Sequence, residues 1–302
     1  MIIFVASYPR SGTTFLAKSC VEKLGFYSIP ESHFLHDLYE ELAKSKCKRI
    51  SYEKLGQILN NSFKFRVWNV SIPHYEFIDA SNIAELFYRL VAAYNEVDLE
   101  SIQNGIVIDH TPENTLWISE HLRYFGNACK ILPLMRDPRS LFNSIKDLRW
   151  GPNTAYYFCK HFVKYLDIID TYVSKSSSDI CYYEELIKNL DENISKFGNN
   201  LGYYEKNLSS KFELPGYTKS QHTLVEKKHG QNKRINAWQT ELDTTSIQYI
   251  ESFFSSKKYA VLNDYDFPLS GKVDSNIFFT FIDEYYKKIK NKFYRKKLER
   301  SI

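Results

Sequence analysis

Met1–Phe15 reads MIIFVASYPRSGTTF, and the fold class turns on how this stretch divides. Ile2 to Ala6 is a short apolar run rich in β-branched residues, which predicts a buried strand. Ser7 to Gly12 breaks the pattern. Thr13 to Leu24 then sets Phe15, Leu16, Cys20, Val21 and Leu24 on one side of a helix. A strand, a Gly-containing turn and a helix form a place to hold a phosphate, because open backbone N–H groups and the helix dipole both face the anion.

The turn is not a Walker A loop, which needs four residues between its first Gly and a Gly-Lys-Ser/Thr ending. Here Ser11 precedes Gly12, no Lys precedes Thr13, and the cation stands earlier, at Arg10. The Arg10 fork suits a non-bridging oxygen, and the hydroxyls of Thr13 and Thr14 follow it. The competing reading is an ordinary Ser-Gly helix start after a buried strand.

A second stretch of the same kind lies downstream. Lys130 to Arg136, KILPLMR, predicts a buried strand ending in a charge, and Asp137-Pro138 starts a helix continued by RSLFNSIKDL. Ser140 and Ser144, four apart, share a face of that helix. Arg136 and Ser144 could hold one phosphate between them.

YPRSGTTFL resembles the 5′-phosphosulfate loop of sulfotransferases, and LMRDPRSLFNSI resembles their 3′-phosphate element. The loop and the spacing to an acidic residue are most similar to tyrosylprotein sulfotransferases and related bacterial carbohydrate enzymes. The resemblance implies 3′-phosphoadenosine 5′-phosphosulfate (PAPS) as cosubstrate, adenosine 3′,5′-bisphosphate as leaving product, and no metal. It implies that Arg10, Ser11, Gly12, Thr13 and Thr14 bind the phosphosulfate, and that Arg136 and Ser144 bind the 3′-phosphate. The fold it implies is α/β of P-loop type, with three layers and a central, mainly parallel sheet flanked by helices.

Gly25–His33, GFYSIPESH, is a loop that returns toward the ligand side and carries Glu31 and His33. Either could be a general base, or Glu31 or Ser32 could cap a helix starting near Phe34. The family separation from Arg10 implies Glu31 as the acceptor-deprotonating group, with His33 as its rival. Gly105–Pro112, GIVIDHTP, predicts a strand that delivers Asp109, His110 and Thr111 to the same edge. Relatives carry a Lys where His110 stands, and a neutral His carries no fixed charge, so the resemblance implies that either His110 does that electrostatic work when protonated or Arg10 carries more of it. Late in the chain KRINAWQTEL resembles the basic segment that returns to PAPS, implying Lys233 or Arg234 as a nucleotide contact.

The chain of 302 residues is long enough for one full core, here residues 1–270. Residues 34–104 predict a helical insert on the acceptor side, with Phe63–Val70 as a strand or extended segment and Trp68, His74, Tyr75 and Phe77 as lining candidates. Residues 271–302 predict an amphipathic basic helix able to touch an anionic membrane surface. A formal charge of +4 excludes a strongly basic nucleic-acid binder. Five scattered Cys and the absence of a spanning or signal segment suggest a cytoplasmic chain, peripherally membrane-associated at most. The expected partner is a hydroxyl-bearing acceptor: foremost a saccharide or lipid-linked glycan, then a small phenol or alcohol, then protein tyrosine. An ATP-dependent P-loop phosphotransferase and a non-catalytic sulfotransferase-like scaffold are the alternatives in other classes. Nothing in the residues bears on oligomeric state.

Overall fold

A computed structural model describes residues 1–176, 178–202, 212–214, 234–268 and 289. In chain order the first half holds β1 (Ile2–Ala6), α1 (Thr13–Leu24), β2 (Tyr27–Ser28), α2 (Phe34–Lys44), β3 (Arg49–Ser51), α3 (Tyr52–Asn61), α4 (Phe63–Arg66), β4 (Phe77–Asp79), α5 (Ile83–Asn95) and α6 (Leu99–Asn104). The second half holds β5 (Val107–Asp109), α7 (Ile118–Phe125), β6 (Cys129–Met135), α8 (Pro138–Ile145), α9 (Ala155–Ser176), β7 (Cys181–Tyr182), α10 (Tyr183–Lys188), α11 (Leu190–Asn200), α12 (Trp238–Glu241) and α13 (Thr244–Ser255).

Five strands form a parallel sheet in the order β2-β5-β1-β6-β7. β1 is the central strand, pairing Ile2 with Val107 on one side and with Cys129 on the other. All five of its residues are buried, which is why the run is apolar throughout rather than alternating. Ile3 and Val5 pack with Leu16, Ala17 and Cys20 of α1 and Ile194 of α11. Phe4 and Ala6 face the opposite side, with Phe34, Leu38 and Phe87. The molecule is therefore the expected three-layer α/β fold. Its parallel strands bring the segments after β1, β2, β5, β6 and β7 to one edge of the sheet.

The insert differs from expectation in two places. Phe63–Val70 is not a strand: Phe63–Arg66 is the helical turn α4, capped by Ser62, whose Oγ accepts the Phe65 N–H at 3.4 Å. A helical turn puts Phe65 and Trp68 together on Phe34, at centroid separations of 5.0 and 5.3 Å, whereas an extended chain would send them to opposite faces. The insert also contains an antiparallel ribbon, β3 with β4, pairing Arg49 with Asp79. Trp68 is buried in the core and so is not an acceptor platform. No described helix is long and apolar enough to cross a membrane. The expectation for residues 271–302 falls, except for Ile289, outside the described residues.

Candidate active site

The loop after β1 is shaped by close approaches. Gly12 has φ +103°, and a Cβ there would lie 2.4 Å from the ring of Tyr183, so this position accepts only glycine. Gly12 also starts α1 without any side-chain cap, which leaves the first backbone N–H groups of that helix for a ligand. Ser11 is committed to the turn, donating both its N–H (3.1 Å) and its Oγ–H (2.7 Å) to the Tyr8 carbonyl. Tyr8 anchors the turn from below, its hydroxyl 2.9 Å from His161 Nδ1 and its ring among Phe158, Phe162 and Tyr165. Thr13 and Thr14 stand at the start of α1, buried beside the loop.

Arg10 takes a left-handed backbone, φ 73°, a conformation that costs a non-glycine residue roughly 1–2 kcal/mol. Arg136, at the end of β6, braces it by donating from Nη1 to the Arg10 carbonyl at 2.9 Å. The Arg10 side chain crosses to α8, with Nε 3.4 Å from Ser144 Oγ. Four of the expected nucleotide ligands, Arg10, Gly12, Arg136 and Ser144, are thus drawn together at one place. Burial, and then the neighbouring Arg136 charge, pull the Arg10 guanidinium down to about 10. Arg136 lies 4.6 Å over the Tyr183 ring, and its buried Nε has no hydrogen-bond partner. No carboxylate among the described residues pairs with it. A buried, unpaired cation with an open N–H beside a second buried cation and an uncapped helix end fits a phosphate- or sulfate-bearing ligand.

The rest of the RDPR stretch builds the frame. Asp137 caps α8 by accepting the Arg139 N–H at 2.8 Å. Arg139 is clamped between Asp137 and Glu251 and lies 4.1 Å from the Trp238 ring centre. Glu184 accepts the Asp137 N–H and the Tyr265 hydroxyl, both at 3.0 Å, and so ties the ends of β6 and β7 together.

The segment after β2 does not cap α2. Ser32 turns inward instead: its N–H donates to Thr111 Oγ1 at 2.7 Å and its hydroxyl donates to the buried Asp109 carboxylate. That fixes Glu31 and His33 beside the end of β5. His33 Nε2 is 3.2 Å from Glu31 Oε2 and 3.4 Å from Glu113 Oε2. Lys64 of α4 closes the cluster, bonded to Glu31 Oε2 and 2.5 Å from His33 Nε2. Burial opposes ionisation of Glu31, but Lys64 and His33 outweigh it and hold the carboxyl well below the ordinary carboxylate range. His110 is buried, its Nδ1 without a partner. Burial pulls its imidazole below the usual range against the opposing charges of Glu31 and Asp109, so at neutral pH it is uncharged. Its anticipated role as a protonated substitute for the missing Lys is not supported.

Arg234 is also placed otherwise than anticipated. Its guanidinium forks onto Glu241, with Nη2 2.9 Å from Oε2, and the adjacent Ile235 carbonyl accepts the Ser140 hydroxyl at 2.7 Å. This pins the segment to α8 and α12 rather than presenting Arg234 to a ligand. Lys233 lies outside the described residues. Three contributors went unseen in the sequence. Lys64 sits in a segment whose pattern reads as extended, Glu113 lies in a 3₁₀ turn, and Tyr183 acts on Arg136, far away in the chain. The Ser62 cap two residues before Lys64 was a usable signal for the first. Among the described residues no cluster of His, Cys, Asp or Glu is suited to hold a metal.

The family model described as "Sulfotransferase family" matches residues 3–202, well over half of the chain, and the chain belongs to that family. Among solved structures it is similar to the sulfotransferase domain from the Synechococcus PCC 7002 olefin synthase, at 18% identity, TM-score 0.50, covering 88% of this chain and 95% of that one. It is also similar to the sulfotransferase domain from the curacin biosynthetic pathway, at 18% identity, TM-score 0.49, covering 85% of this chain and 98% of that one. At 18% identity the first of these likenesses is one of fold. No curated protein matches the chain.

Proposed function

We propose that the protein transfers a sulfuryl group from PAPS to an acceptor hydroxyl. The observation that carries this reading is the open Nε of buried Arg136, set beside Arg10, Ser144 and the uncapped start of α1. Arg10, Thr13, Thr14 and the loop N–H groups would hold the phosphosulfate, and Arg136 with Ser144 the 3′-phosphate. PAPS supplies the activated sulfur. The acceptor oxygen bonds to sulfur in line as the bond to the nucleotide phosphate breaks, and the acceptor proton passes to Glu31 or His33. Arg10 and the helix N–H groups stabilise the negative charge left on the phosphate oxygen.

Titration with adenosine 3′,5′-bisphosphate tests the nucleotide half. Saturable binding is expected, and no binding at millimolar concentration sinks the reading. Label transfer from PAPS separates an enzyme from a binding scaffold of the same fold. For the acceptor we favour a saccharide hydroxyl. Trp150, 43% exposed after α8, offers an aromatic face to solvent of the kind a sugar stacks on, whereas Trp68 is spent in the core. Matched panels of glycans, phenols and Tyr peptides decide the point. Label confined to phenols or to Tyr peptides would replace the saccharide with that class.

A further inference from the structure

One imidazole in the acceptor half of the site faces two carboxylates. His33 Nε2 lies 3.2 Å from Glu31 Oε2 and 3.4 Å from Glu113 Oε2. Taking one proton from one hydroxyl needs one base, and Glu31 or His33 supplies it. Glu113 is then a second carboxylate with no part in proton transfer. It stands in the turn after β5, Pro112–Trp117. Burial, and then the Glu113 charge, push up the hydroxyl of Tyr165, whose ring packs on Tyr8 of the nucleotide loop at 5.0 Å. Glu113 thus reaches from the base cluster toward the loop. Its bonding is incomplete. Lys64 pairs with Glu31, and the described residues bring no Lys or Arg to Glu113. The approach to His33 is an ion-pair distance and not a hydrogen bond: Glu113 Oε2 is buried without a hydrogen-bond partner, while the side chain as a whole is 33% exposed. These contacts hold whichever nitrogen of His33 carries the proton.

We propose that Glu113 reads a second hydroxyl of the acceptor: the acceptor is a vicinal diol or polyol, one hydroxyl meeting the base and its neighbour donating to the Glu113 carboxylate. This deepens the sulfuryl-transfer reading and rests on it for the fate of the first hydroxyl; the diol contact itself is testable without transfer. An ionised carboxylate accepts through two oxygens and about four sites and donates nothing. Leaving such a group part-buried and unbonded costs free energy, and an O–H donor removes that cost. A simple phenol or alcohol spends its one hydroxyl on the base and leaves Glu113 bare once water is displaced. A saccharide carries the neighbouring hydroxyl that fills the place. A site built to bond a substrate hydroxyl rejects the analogue lacking it far more strongly than an apolar pocket discriminates by size. Glu113 is thus a specificity-determining residue, distinct from the proton acceptor.

Cyclohexanol and trans-cyclohexane-1,2-diol are matched probes that differ by one hydroxyl. Their affinities can be compared by ligand-observed NMR on protein saturated with adenosine 3′,5′-bisphosphate, and their turnover by label transfer from PAPS. The diol should bind at least about tenfold more tightly, with kcat/KM higher by at least that factor. Glu113→Ala should close the gap by weakening the diol and not cyclohexanol. Glu113→Gln keeps an acceptor oxygen and should retain part of the gap. Bisphosphate binding reports that each variant is folded. A gap that survives in Glu113→Ala overturns the proposal, as does equal binding of the two probes by wild type, or binding of neither. Should Glu113→Ala fail to bind the bisphosphate, Glu113→Gln decides: a reduced gap upholds the proposal and a wild-type gap overturns it. A diol preference abolished by Glu113→Ala, in a protein that transfers no label, upholds the diol contact and sinks the transfer reading. Label transfer with no diol preference does the reverse.

Discussion

Gly12 and Arg136 carry the nucleotide half of the site by different means, and each can be tested alone. Gly12→Ala puts a methyl group 2.4 Å from the Tyr183 ring in a left-handed backbone. Left-handed strain alone costs roughly 1–3 kcal/mol, and the Tyr183 ring must also move. The variant should melt several degrees lower and lose bisphosphate binding. A melting point and affinity equal to wild type would mean the loop does not depend on this close approach. Arg136→Ala removes a guanidinium that both braces the Arg10 carbonyl and offers an open N–H. A charge-assisted hydrogen bond is worth roughly 1.5–3 kcal/mol. Binding of adenosine 3′,5′-bisphosphate should therefore fall more than about tenfold beyond any loss for adenosine 5′-phosphate. Equal losses for both nucleotides would reassign Arg136 to bracing the loop.

At the scale of elements, α4 is four residues long yet places Lys64, so its cap carries functional weight. Ser62→Ala should cost about 1 kcal/mol, read as a lower denaturant midpoint. It should also slow acceptor turnover while sparing bisphosphate binding, and a fall in nucleotide affinity instead would mean the insert supports the other half of the site. The elements that were legible beforehand share one physical trait. β1, β6 and α8 announce themselves locally, through a continuous apolar run or through Asp-Pro at a helix start, and Arg10 and Arg136 lie directly after β1 and β6; Glu31, after the two-residue β2, is legible only through the family separation from Arg10. α4 failed because F-K-F-R-V-W alternates, and only the tertiary contact of Phe65 and Trp68 with Phe34 selects the helical turn. The β3–β4 ribbon failed because Arg49–Ser51 and Phe77–Asp79 are three residues each and far apart in the chain. Lys64 and Tyr183 were invisible for a related reason: each acts on a residue distant in sequence, and no spacing rule encodes that contact.

For the whole molecule, acid stability is set by buried imidazoles that stay neutral. His121 stacks on Phe4 of the central strand at 3.8 Å, with its Nδ1 3.0 Å from the Tyr39 hydroxyl, and burial holds it well below the ordinary His range. His36 stacks on Trp117, and burial, then the His33 and Lys64 charges against an opposing contact from Asn114, bring it down to about 3. Between that value and the unfolded value of about 6.5, the unfolded chain binds a proton at His36 that the native chain does not. Stability must therefore rise with pH through this window, be fully present above about 6.5, and be lost as pH falls toward about 3. His121 acts in the same direction, and each proton taken up on unfolding contributes about 1.4 kcal/mol per pH unit. Glu31 works the same way further down, since its depressed carboxyl loses its contribution only below its unfolded value of about 4.3. Against a total stability of about 5–15 kcal/mol, two such histidines remove a substantial part of the margin as pH falls from neutral toward about 4. The urea midpoint should fall steeply from pH 7 to pH 4, and His36→Asn should flatten that slope by about one proton. A midpoint that stays level across the interval would show that these two rings can take up protons without leaving the core.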